Sequence, residues 1–148
     1  MKLKVILFSL SLFLVSSIGY AQKNKEPKSI ISENVSIKKY HAKDELGRMQ
    51  KGELLGLYIE RIETLTKILP YIAFATKPGV TMSTLGIPND NDNRKALENQ
   101  FDATKSYIES TVVFQKRILP YSDTTNLIEA ILFYEEILKS LHEYSEYH

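Results

Sequence analysis

Apolar residues recur at steps of three and four along three separate stretches of this chain, and that spacing constrains its fold more than any other feature. Such steps line up side chains on one face of an α-helix, whereas a half-buried strand needs strict alternation. In the first stretch, which begins near Asp44, the stripe is Leu55, Tyr58, Ile62, Leu65, Leu69 and Ile72, with Glu60, Arg61, Glu63, Thr64 and Lys67 between. The second runs from about Arg94 to Leu119, with Leu97, Phe101, Ile108, Val112 and Leu119 on one face and Asp92 or Asn93 as its cap. In the third, capped by Ser122 or Asp123, Leu127, Ile131, Tyr134, Leu138 and Leu141 form the stripe, and Glu135 pairs with Lys139 on the outside. The expected fold is all-α: an antiparallel bundle of three long helices, with a possible fourth short N-terminal element and a long irregular loop between the first two long helices.

Proline punctuates this pattern. The tetrapeptide Ile-Leu-Pro-Tyr occurs at Ile68–Tyr71 and again at Ile118–Tyr121, each time after a basic residue, Lys67 or Arg117. Few further matches extend the alignment, so the repeat reads first as reuse of a helix-breaking motif, with a duplicated helical unit as the alternative. Pro70 has no amide proton and its ring crowds the carbonyl of Thr66. Because Tyr71-Ile72-Ala73-Phe74 stays apolar, the expectation is a kinked helix that runs on past Pro70.

The first 21 residues read as a secretory signal. Lys2 and Lys4 precede an apolar run from Val5 to Val15, and Gly19 and Ala21 supply the small residues before a cut. The run is shorter than the roughly 20 residues that span a bilayer, so no stable membrane anchor is expected after cleavage. Residues 22–43 form a polar, lysine-rich leader followed by an element of undecided type, since Ile30, Ile31, Val35, Ile37 and Tyr40 fit neither helical nor strand spacing. Residues 44–148 are the helical domain. Without a single cysteine, the exported domain has neither a disulfide brace nor a lipid attachment point. Loss of the two signal lysines leaves 17 basic against 18 acidic residues, a formal charge of −1 that disfavours nucleic acid as a partner.

The residues offer little chemistry. No Glu-x-x-His pair exists for a di-metal bundle, and Lys95 and Phe101 stand where a calcium loop starting at Asp90 needs glycine and glutamate. No nucleophile elbow or glycine-rich phosphate loop is present, and Glu60 with Glu63, or Glu135 with Glu136, reads as a solvated helix face. No catalytic, cofactor-binding or metal-ligating residue is assigned. Candidate partner-binding residues are Val80, Met82, Leu85 and Ile87 in the long loop at 76–93, together with Tyr144 and Tyr147 near the end of the chain. The competing expectation for the loop is that it folds back over the open end of the bundle. These features predict an exported, periplasmic or extracellular, non-enzymatic protein-interaction module of inhibitor, immunity or accessory type. Another protein is its expected partner, and self-association is compatible with its helical faces. The alternative is a bundle that binds a small ligand or a metal.

Overall fold

A computed structural model describes residues 27–32 and 35–146, with no side chains described beyond His142. The signal segment and Tyr147 lie outside the described residues. The elements are α1 (Lys43–Leu46), α2 (Lys51–Ile68), α3 (Asn91–Ile118) and α4 (Thr124–Glu146), with short 3-10 turns at Leu69–Tyr71, Ser83–Leu85 and Leu119–Tyr121. No strand occurs among the described residues, and the three long helices run up, down and up, so α2 and α4 lie parallel with α3 antiparallel to both.

Helix starts follow local chemistry. Gln50 and Glu53 form a reciprocal capping box at α2, satisfying amides that the first turn leaves unpaired. At α3 the cap is Asp90, two residues earlier than the sequence suggests: its carboxylate accepts the Asn93 amide at 2.8 Å, while Asn93 donates its side-chain amide to the Pro88 carbonyl. Asp123 caps α4, as expected, by accepting the amides of Thr125 and Asn126. Four residues, Gly47 to Gln50, separate α1 from α2 and divide what reads in sequence as one helical stretch.

At Pro70 the chain departs from expectation. The α-helix ends at Ile68, and Leu69–Tyr71 tightens into a 3-10 turn instead of kinking and continuing. The amides of Phe74 and Ala75 then both turn back to the Tyr71 carbonyl.

The helices do not enclose one another evenly. α2 is the central element, packed on α4 along one side and on α3 along another, while α3 and α4 barely meet. This explains why α2 buries Leu54, Arg61, Thr64, Leu65 and Ile68 rather than the single predicted stripe, in which Leu69 and Ile72 are exposed. A helix flanked on two sides needs two apolar faces.

Two apolar layers result. Leu46, Leu54, Leu119, Leu127, Ile128 and Ile131 fill the end near Pro120. The Pro70 end holds Leu65, Ile68, Tyr71, Ala75 and Leu138, covered by Ile30, Ile31, Val35 and Met82. The described residues between Pro27 and His41 are neither helix nor strand. They form an extended strap, joined to the loop by the Ile30 amide on the Val80 carbonyl at 2.8 Å and by an isolated bridge between Ser29 and Thr81. Gly86, at φ 73°, takes the left-handed conformation that closes the loop's 3-10 turn.

Candidate functional site

Two features stand apart from ordinary bundle packing: a buried charged layer and an exposed apolar helix face. The charged layer lies between the two apolar layers. Arg61 comes from α2 and Glu135 from α4, and both side chains are almost wholly removed from water. Arg61 donates from Nε and Nη2 to Glu135 Oε1 at 3.1 and 2.7 Å, from Nη2 to the Lys39 carbonyl at 2.7 Å, and from Nη1 to Glu60. His41 donates its backbone amide to Glu135 Oε2 at 2.6 Å, and its Nδ1 lies 2.9 Å from Oε1. Burial alone would push the Glu135 carboxyl up, but the hydrogen bonds from His41 and Arg61 outweigh it and hold the group below the usual carboxylate range.

This geometry corrects two expectations. Glu135 does not pair with Lys139 on a solvated face; Lys139 bonds Glu136 at 2.7 Å, and Glu135 points inward. Arg61, placed by the sequence among the polar residues of its helix, is buried. The physical reason is that each charge satisfies the other, together with the strap backbone, where no water reaches. Chemically, Glu135 already takes part in four hydrogen bonds, so its lone pairs are committed to holding α2, α4 and the strap together. Nearby, Tyr40 Oη lies 2.7 Å from His142 Nδ1, and Lys139 Nζ sits 5.4 Å from the Tyr40 ring centre. Both contacts pin the strap to α4.

The loop residues singled out in the sequence turn toward the molecule. Met82 is buried in the Pro70-end layer, and Val80, Leu85 and Ile87 are half-buried against it. The side chain of Tyr144 is not among those described. Tyr58 and Tyr134 pack ring to ring as their stripes imply, with hydroxyls 3.3 Å apart, and burial and that hydrogen bond push Tyr134 up to about 12.

The second feature is the outer face of α3. None of its 28 residues is buried, because the helix rests on α2 along one side only. Val113 is 70% exposed, Phe114 58% and Tyr107 59%, and the stripe continues into Ile118 and Tyr121. Isolated exposed apolar residues are unremarkable on a protein surface, but a contiguous run is a mark of contact sites. The apolar stripe read from the sequence identifies the inner face of α3 and misses this outer one. Its signal is nonetheless present: Phe114 and Tyr121 stand seven residues apart on the side away from Val112 and Leu119, with Tyr107, seven residues earlier, at the edge of that face.

Between α2 and α3 lies a shallow, open groove, with essentially no room for even a water-sized molecule, lined by Ile62, Thr66, Tyr107, Ile108, Thr111 and Val112, together with Glu63. Among the described residues, no group of three His, Cys, Asp or Glu side chains could hold a metal ion, and no helix is long and apolar enough to cross a membrane. No family model matches this chain, and neither does any curated protein or solved structure.

Proposed function

We propose that this protein is an exported, non-enzymatic helical module that acts by binding another protein, in the manner of an inhibitor, immunity factor or accessory subunit. The observation that carries the reading is the outer face of α3, where Val113 and Phe114, with Tyr121 in the turn that follows, remain in solvent although the helix has already satisfied its contact with α2. Aromatic side chains on a rigid helix lose little entropy when a partner covers them, which makes them effective anchors. The signal-like segment at residues 1–21 supports an extracytoplasmic place of action. The small-ligand alternative draws less support, since the groove beside Tyr107 is open and encloses almost no volume, against the roughly 300–1,000 Å³ typical of ligand pockets.

Binding can be separated from folding because the face is exposed. A variant carrying Val113→Ser and Phe114→Ser is expected to melt within a few degrees of the parent and to lose partners that the mature chain retains from envelope and extracellular fractions. Retention of every such partner by the variant would remove the α3 face from the reading.

A further inference from the structure

We propose that the outer face of α3 pairs with the same face of a second copy of this chain, antiparallel and about a twofold axis that crosses the helix at the level of residue 112. This rests on the reading that the face is a contact surface, and it names the partner. The face is self-complementary in that arrangement. Ala103, Tyr107, Ser110, Phe114, Arg117 and Tyr121 recur at alternating steps of four and three and are exposed, apart from α3's contact with α2. Such a seam is the one along which two helices interdigitate.

Reversing one copy about residue 112 sets Phe114 opposite Ser110, Tyr121 opposite Ala103 and Arg117 opposite Tyr107. Phe114 and Tyr121 each meet a small residue, and the one charge on the seam meets the face of Tyr107, to which a guanidinium is attracted. A parallel pairing would instead stack ring on ring and set Arg117 against its own copy, a like-charge contact. The Ser110 hydroxyl already donates to the carbonyls of Ser106 and Tyr107, so covering it strands no donor.

The five large apolar side chains from Tyr107 to Tyr121 expose on the order of 700 Å², close to the roughly 800 Å² per partner that a stable interface buries. An isologous contact of this kind closes on itself, giving a dimer and not a filament.

The test uses the mature chain from Gln22 in sedimentation and light scattering across ~10–500 µM, a range set by the modest interface. A dimer is expected. Ser110→Phe fills the hollow opposite Phe114 and should raise the dissociation constant at least ~10-fold, while the exchange Ser110→Phe with Phe114→Ser should restore it to within about threefold, since the seam is then complementary again. Because the chain has no cysteine, orientation is read by mixing Ala103→Cys with Tyr121→Cys: the antiparallel dimer forms the mixed disulfide, and Ala103→Cys alone does not cross-link.

A monomer throughout the range overturns the pairing, and so does a dimer indifferent to Ser110→Phe or one in which Ala103→Cys links to itself. None of these results touches the binding of a different protein by the face, which the Val113→Ser, Phe114→Ser variant judges separately.

Discussion

The two Ile-Leu-Pro-Tyr turns have the same backbone and opposite interiors. Ile68 and Ile118 share φ −101°, with ψ −45° and −40°, and each leads into a 3-10 turn of Leu-Pro-Tyr. Yet in the first turn Ile68 and Tyr71 are 2% and 7% exposed and Leu69 is 50% exposed, whereas in the second Leu119 is 9% exposed and Ile118 and Tyr121 are 45% and 87% exposed. The proline dictates the turn because it removes a donor and crowds the preceding helix, a local effect that four residues fully specify. Which side chain enters the core depends on the phase in which the preceding helix arrives. The inner face of α2 steps through Arg61 and Leu65 to Ile68, while that of α3 steps through Val112 and Gln115 to Leu119, one residue later in the motif. The turns also release the chain differently: Ile72 stays helical in φ and ψ, whereas Ser122 is extended and hands over to the α4 cap.

The largest expected effect comes from the charged layer that keeps these two ends apart. Glu135→Gln leaves the buried Arg61 with only the half-exposed Glu60 as counter-charge and should cost roughly 3–5 kcal/mol in urea unfolding. Acid should act on the same group: a carboxyl whose folded pKa is lowered contributes stability above its unfolded value, and that contribution disappears as pH falls from about 4.5 through the folded pKa. Hydrogen exchange below that pH should then rise first in the strap at the Pro70 end. The Pro120 end also carries a lowered carboxyl, Asp123, but it is exposed and holds only a helix cap. Uniform acid sensitivity along the molecule would contradict the layered picture.

Next in size is the contrast between the tyrosines. Tyr71→Ala removes a ring packed edge-on against Phe101 and should cost about 3–4 kcal/mol, whereas Tyr121→Ala should change thermal stability by less than about 0.5 kcal/mol. The leucines should reverse the order, with Leu119→Ala costing about 2–3 kcal/mol and Leu69→Ala under about 1 kcal/mol. Equal losses at matched positions would mean that the turns are packed alike. The smallest effect belongs to Tyr71→Phe. The Tyr71 hydroxyl is buried and has no partner among the described residues, so removing it should leave stability unchanged or raise it slightly, as calorimetry would read.

The same contrast shows what a sequence can convey. The three long helices, the Asp123 cap and the stop at Pro120 are written locally, in spacing and in single residues, whereas at Pro70 the apolar run that follows masks the stop. The strap is not. Ile30, Ile31 and Val35 are drawn into the core by Met82 and Leu138, contacts that no short-range pattern records. The charged layer does leave a trace: the stripes Leu54, Tyr58, Arg61, Leu65, Ile68 and Ile128, Ile131, Glu135, Leu138 each carry one charge at a core position, with opposite signs. Read helix by helix, either charge passes for a solvated residue. Only the pair, seen together, marks a layer. The outer face of α3 is hidden for a related reason, because a helix with two apolar faces resembles one with a broad face until its neighbours are known.

The lock on Glu135 also bears on the order in which the chain can assemble. His41 and Glu135 stand 94 residues apart, so the strap is made first and secured last. Until α4 is in place, Arg61 has no buried counter-charge and the strap lacks its anchor on Glu135. A chain stopped short of Glu135 would keep that unsecured end, and a quality-control protease that trims exposed apolar segments could tell it from a finished one without recognising any particular signal.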